Sequence, residues 1–201
     1  MLVCKHNSAT LPAVIEKRAF RFRWQLMAIT IGRLFINTGL RMVYPFAPAF
    51  ARGMDVPLTA VYSVIALRNI AGFFSPLFSP LPEKFGRKVV MMGSLILFAG
   101  GCVLVVVLPT FWAFALAMGL LGLAKVNFDA VPYAERGKAL SVTEYAWSLA
   151  LLIGAPAVGL AIQAWGWSAP FFWLGLLSLL SVLLLWRIVP RLGNRRTQSL
   201  S

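Results

Sequence analysis

The sequence predicts an all-α membrane protein, a six-transmembrane-helix bundle with both termini cytoplasmic. Three observations carry this. Apolar residues make up 60% of the 201-residue chain and charged residues only 12%, about half the charge of a soluble domain. The apolar residues gather into six long stretches separated by short basic or turn-rich segments. The basic residues gather in every second connecting segment, on one of the two sides that such stretches define. A helix needs ~20 apolar residues to cross the ~30 Å hydrocarbon core, and a backbone in lipid must satisfy its own hydrogen bonds.

Residues 1–23 read as a basic cytoplasmic tail carrying Lys5, Lys17, Arg18, Arg21 and Arg23. It lacks an apolar run followed by a small-residue cleavage site, so it is not read as a cleavable signal peptide. Residues 24–189 hold the bundle. The stretches are Trp24–Phe50, Leu58–Phe78, Val89–Leu108, Phe111–Phe128, Leu140–Ala164 and Ser168–Trp186. Pro45 and Pro48 interrupt the first, because each removes a backbone donor. The links Arg52–Pro57, Pro109–Thr110 and Trp165–Trp167 are short enough to force antiparallel hairpins. Residues 190–201 form a second basic, polar cytoplasmic tail. Fourteen of the nineteen Lys and Arg fall in the two tails and in the loops after the second and fourth stretches. Only Arg52 lies in a loop on the other side, which places both termini inside.

The net charge of +13 would point to nucleic acid in a soluble protein, but its placement points instead to anionic lipid headgroups. No nucleic-acid partner is expected. Cys4 and Cys102 are isolated, one in the tail and one in an apolar helix, so no disulfide framework is expected. The single histidine, His6, is in the tail. No Gly-x-Ser-x-Gly, His-Glu-x-x-His or phosphate-loop pattern occurs, so no catalytic residue, cofactor or metal is expected and the chain does not read as an enzyme.

Four basic residues sit inside the stretches. Arg33, Asn37, Arg41 and Tyr44 are spaced four, four and three apart and share one helical face. Arg33 is about 13 Å along the helix from Trp24 at 1.5 Å per residue, near mid-membrane. A central arginine costs roughly 2.5–3.5 kcal/mol on insertion scales, so it must face protein or water. Arg68, followed by Asn69, carries the same cost in the second stretch. Arg33, Asn37, Arg41 and Arg68 are therefore candidates to line a solute cavity, electropositive where the first two stretches face it. Lys125 and Asp129 are four apart and can neutralise each other. Asp129 and Glu144 are the acids available for a proton or charge relay.

Gly72 and Pro76 in the second stretch match Gly154, Pro156 and Gly159 in the fifth. Each stretch is followed by an aromatic-glycine turn, Phe85-Gly86 and Trp165-Gly166. Paired irregularities predict a 3+3 inverted repeat of the kind found in secondary transporters. The loop between the second and third stretches reads Ser79-Pro80-Leu81-Pro82-Glu83-Lys84-Phe85-Gly86-Arg87-Lys88. It resembles the major facilitator superfamily pattern Gly-x-Leu-x-Asp-Arg-x-Gly-Arg-Arg. Leu81, Gly86 and Arg87 match outright, Glu83, Lys84 and Lys88 match in charge, and Ser79 replaces the first glycine. Trp165-Gly166-Trp167 with Pro170-Phe171 resembles the family's link between its fifth and sixth helices. Asp129 to Ala139 resembles its fourth-to-fifth link, shortened.

The resemblance covers about Trp24 to Pro190 and looks like the family's N-terminal six-helix half. It implies a multi-pass cell-membrane permease that carries a small solute by alternating access, with a second six-helix bundle, another copy or a separate chain, completing the site. Glu83, Lys84, Gly86, Arg87 and Lys88 would form a cytoplasmic gating motif. Gly154, Pro156 and Gly159 loosely resemble the family's helix-five bend, with helix packing as their first role. The excess of interior bases tilts the solute toward an anion. The alternative is a truncated, non-transporting membrane protein or assembly partner.

Overall fold

The computed structural model describes residues 10–70, 72, 80–129 and 148–188. Those residues form helices joined by short turns, with no strand among them: α1 (Thr10–Arg41), α2 (Val43–Gly53), α3 (Leu58–Ile70), α4 (Leu81–Phe85), α5 (Arg87–Val107) and α6 (Phe111–Asp129). A π-helical turn at Ala150–Gly154 then leads into α7 (Ala155–Trp165), followed by α8 (Ala169–Ile188). Among the described residues three helices are long and apolar enough to cross a membrane: Lys88–Val107, Phe111–Asp129 and Ala169–Ile188. Leu58–Ile70 and Ala150–Trp165 are shorter apolar helices. The remainder of the second expected stretch, the start of the fifth, the loop with Arg136 and Lys138, and residues 1–9 and 189–201 lie outside the described residues.

α1 differs from the expectation at both ends. Its described helical backbone runs from Thr10, so residues 10–23 continue the first stretch as helix. The break in the first stretch comes at Met42 and not at the prolines themselves. Pro45 has no N–H to offer the carbonyl of Arg41, so the ladder loosens one turn earlier. Met42 keeps right-handed angles (φ −56°, ψ −27°). Its N–H still reaches the Thr38 carbonyl at 2.9 Å, and the Phe46 N–H reaches the Met42 carbonyl at 3.2 Å. The result is a joint between α1 and α2.

α2 ends in a Schellman turn. Asp55 takes a left-handed φ of 54°, the Val56 N–H bonds the Ala51 carbonyl at 3.0 Å, and the Asp55 N–H bonds the Arg52 carbonyl at 3.4 Å. α6 starts where Pro109 forbids further helix and Thr110 caps: its hydroxyl accepts from the Ala113 N–H at 3.4 Å. The two aromatic-glycine turns adopt similar backbones. Gly86 has φ 86° and ψ 143°, and Gly166 has φ 89° and ψ 178°. Each closes a helix through its own N–H, to the Pro82 carbonyl at 3.1 Å and the Ile162 carbonyl at 3.0 Å. This region of backbone space is essentially glycine-only. A Cβ at Gly86 would meet nothing within 4 Å, so the cost of Gly86→Ala is conformational alone. It is expected to lower stability by about 1–3 kcal/mol, read as a fall in the thermal midpoint of the protein in lipid nanodiscs.

α5 lies between α6 and α8, and α8 also packs along α1. Small residues let these helices approach, as helix packing in lipid requires. The Cβ position of Gly175 is 3.1 Å from the Cβ of Cys102, and that of Gly101 is 2.5 Å from Leu121. Phe50, Phe114 and Phe171, all fully buried, knit α2, α6 and α8 together, with ring centroids 5.8–6.2 Å apart. Trp167 meets Phe50 edge-on at 6.4 Å. The buried serines bond back to their own helices, Ser94 to the Val90 carbonyl, Ser178 to the Gly175 carbonyl and Ser181 to the Leu177 carbonyl, which keeps these hydroxyls paired in an apolar interior.

Each of the three long helices is only 44–50% buried although it is predominantly apolar. Trp112, Leu152 and Val107 stand 67–79% exposed. A helix that is hydrophobic on every side is built for burial, and the side that no protein covers suits lipid tails.

Candidate functional site

Two cation clusters join the helices, the first partly exposed and the second buried. The first lies between α1 and α6. Arg33 Nη2 donates to Asp129 Oδ1 at 2.6 Å. Lys125 Nζ donates to Asp129 Oδ2 at 2.7 Å and to Asn37 Oδ1 at 3.3 Å. One carboxylate thus bridges two bases, leaving a net charge of +1. Arg33 is 12% exposed, and Lys125 and Asp129 are each 33% exposed. Asn37 is 1% exposed, and its Nδ2 has no partner among the described residues. The i, i+4 pair anticipated for Lys125 and Asp129 forms, with Arg33 added across the helix interface.

The second cluster ties α3 to the α1–α2 joint. Arg68 is only 9% exposed. Its Nη1 donates to the Leu40 carbonyl at 2.8 Å, and its Nη2 donates to Tyr44 Oη at 3.1 Å and to Asn69 Oδ1 at 3.2 Å. The guanidinium carbon sits 5.5 Å from the Tyr44 ring centroid, within reach of a cation–π attraction. All three acceptors are neutral. Among the described residues no carboxylate pairs with Arg68.

The polar stripe of the first stretch is therefore divided. Arg33 and Asn37 turn to α6, whereas Tyr44 turns to α3; Arg41, partly buried, closes α1 between them. The division follows the joint at Met42, which starts a new helix with different neighbours. Lys125, expected only to neutralise Asp129, also reaches α1. Sequence reasoning missed Asp129 as the partner of Arg33, and it missed the Leu40 carbonyl as the partner of Arg68, a backbone group that no side-chain pattern announces.

Glycines of the fifth stretch meet α1 and α2 directly. A Cβ on Gly154 would lie 2.7 Å from Thr38 Oγ1, and one on Gly159 would lie 3.2 Å from the Phe46 ring. Pro156 falls in the first turn of α7. Its missing N–H frees the turn before it, and the Ala155 N–H bonds the Ala150 carbonyl instead, an i→i+5 link. The irregularity read as a bend takes the form of that π turn.

Of the loop motif, Gly86 makes the α4–α5 turn and Lys88 Nζ donates to the Trp186 carbonyl at 2.6 Å. That carbonyl is one of the four left over at the end of α8, and a cation suits the negative end of the helix dipole. Lys84 is exposed. The backbones of Glu83 and Arg87 lie in α4 and at the start of α5. Glu144 lies outside the described residues. No group of three or more metal-ligating side chains occurs among the described residues.

The profile of the Major Facilitator Superfamily matches residues 29–200. This chain belongs to the major facilitator superfamily. Among curated relatives it is similar to the uncharacterized MFS-type transporter YwfA of Bacillus subtilis, at 28% identity over 161 residues, covering 74% of this chain and 38% of that protein. It is similar to the multidrug resistance protein fnx1 of Schizosaccharomyces pombe, at 24% identity, covering 100% of this chain and 40% of that protein. It is also similar to the multidrug transporter MdfA of Edwardsiella ictaluri, at 31% identity over 140 residues, covering 64% of this chain and 34% of that protein. The chain thus spans two-fifths or less of the length of these relatives. The fold is that of a solved POT family transporter, PepTSo, with a TM-score of 0.68, 14% identity, and coverage of 83% of this chain and 36% of that one. This member of the superfamily is a membrane protein, and the family transports solutes across membranes.

Proposed function

We propose that this chain moves a small solute, one bearing an anionic group, across the cell membrane by alternating access. The described helices would belong to six spans in a 3+3 inverted repeat, with both termini cytoplasmic. The similar backbones of the Gly86 and Gly166 turns support the repeat, and the placement of Lys and Arg supports the orientation. A second six-helix bundle, from another copy or another chain, would complete the cavity. One relative is named a multidrug resistance protein and another a multidrug transporter, which favours an apolar body for the solute.

The observation that carries the reading is Arg68, buried in an apolar helix and bonded only to neutral acceptors. Arg33 contributes less, because Asp129 already holds it. Glu83, Lys84, Arg87 and Lys88 would act as the cytoplasmic latch that yields when the bundles rock. Asp129 and Glu144 remain the acids through which a proton could be coupled.

The test is uptake in liposomes, with and without a proton gradient, across a panel of anionic and cationic aromatic solutes. Arg68→Gln is expected to slow anion uptake by tenfold or more, since a hydrogen bond to a charged group contributes roughly 1.5–3 kcal/mol. Lys88→Gln is expected to leave solute preference unchanged. Equal uptake by wild type and Arg68→Gln would remove Arg68 from the solute path.

A further inference from the structure

Arg68 also forms one wall of a crevice between α3 and α6. The crevice has a volume of about 280 Å³ and is lined by Val64, Leu67, Arg68, Ile70, Ala115, Gly119 and Leu123. Apart from Arg68 and the glycine, every lining side chain is aliphatic. Leu67 and Ile70 are well exposed at its rim, so the crevice opens onto the surface of the bundle. Its floor is Gly119, in the middle of α6, where a Cβ would meet nothing within 4 Å. A mid-helix glycine costs about 1 kcal/mol relative to alanine, and here no neighbouring helix presses close enough to require one. A guanidinium has five N–H donors, and the Arg68 bonds to Leu40, Tyr44 and Asn69 use three. A buried cation with donors to spare, bordering an apolar slot, is complementary to one kind of molecule.

We propose that the α3–α6 crevice is a binding site for the carboxylate head of a small amphiphile, with Arg68 receiving the head and Val64, Ala115, Gly119 and Leu123 receiving the apolar body. This deepens the solute reading of Arg68 by naming the ligand chemistry, and it concerns binding, which holds whether or not the ligand is carried. The amphiphile can come from the bilayer, as a fatty-acid anion, or from water, as an aromatic carboxylate.

The experiment measures binding to the full chain in lipid nanodiscs, apart from transport. Octanoate at a hundredfold excess over its Kd is expected to raise the thermal midpoint by on the order of 5 °C, and octanol, with the same tail and no charge, is expected to leave it in place. Arg68→Gln is expected to abolish the octanoate shift. Because Arg68 also ties α3 to α1, a second variant spares it. Gly119→Leu fills the floor, improves helix propensity and is expected to keep the unliganded midpoint while losing the octanoate shift. A nitroxide-labelled stearate immobilised by the protein identifies the bilayer as the source, whereas protection by benzoate identifies water; either supports the site. An equal shift with octanol, no shift with any carboxylate, or an undiminished shift in Gly119→Leu would overturn it. Loss of uptake in Arg68→Gln with octanoate binding intact in that variant would overturn this site and leave the transport reading standing.

Discussion

Asp129→Asn is expected to be the most damaging single polar substitution in the described residues. The carboxylate is the shared acceptor of Arg33 and Lys125, so its loss leaves two cations facing a neutral amide. Removing one partner of a fully buried ion pair costs about 3–5 kcal/mol. Asp129 and Lys125 are each a third exposed, which lets solvent screen part of this, so about 2–3 kcal/mol is the expected loss. For a domain of this size that is a fall of roughly 5–10 °C in the thermal midpoint, measured by tryptophan fluorescence in nanodiscs. The triple variant Arg33→Gln, Lys125→Gln, Asp129→Asn is expected to regain most of it, because no charge is then left unmatched. A midpoint for Asp129→Asn equal to that of wild type would mean that the bridge between α1 and α6 holds nothing together.

Gly39→Val is the packing counterpart. A Cβ at residue 39 would lie 2.5 Å from Cζ and 2.9 Å from Cε2 of Phe98. Phe98 is fully buried on α5, so its ring has no free direction in which to retreat. Overpacking of this kind costs about 1–3 kcal/mol. Gly39→Ala recovers about 1 kcal/mol in helix propensity and is expected to end near neutral, whereas valine adds two more carbons to the collision without the full gain. The sign is tested by a double-mutant cycle: Phe98→Leu, destabilising alone, is expected to be less so beside Gly39→Val. Strict additivity of the two would show that the residues do not touch.

Much of the fold was legible because it rests on runs of residues. Twenty apolar residues between prolines and glycines specify a helix long enough for a membrane, whatever lies beside it. The aromatic-glycine turns were legible for the same local reason: Gly86 and Gly166 are needed by the backbone itself. The Lys125–Asp129 pair follows from helical spacing. What was not legible depends on neighbours. Arg33 finds its acid 96 residues away, and nothing in spacing distinguishes it from Arg41. Arg68 finds a carbonyl near a joint that Pro45 loosens, and a carbonyl has no letter in the sequence. Gly39, Gly154 and Gly159 look alike as small residues, and only the packed helices show which ring or hydroxyl each admits.

The π turn at Ala150–Gly154 holds one residue more than an α-helix would use to cover the same rise. Evolutionary length change is normally ruinous inside a packed helix, because it swings every later side chain by ~100° about the axis. Here the surplus is already stored in the backbone. Excising a single position, such as the well-exposed Leu152, can be absorbed by winding Ala150–Gly154 back to ordinary α geometry, with Gly154 still against Thr38.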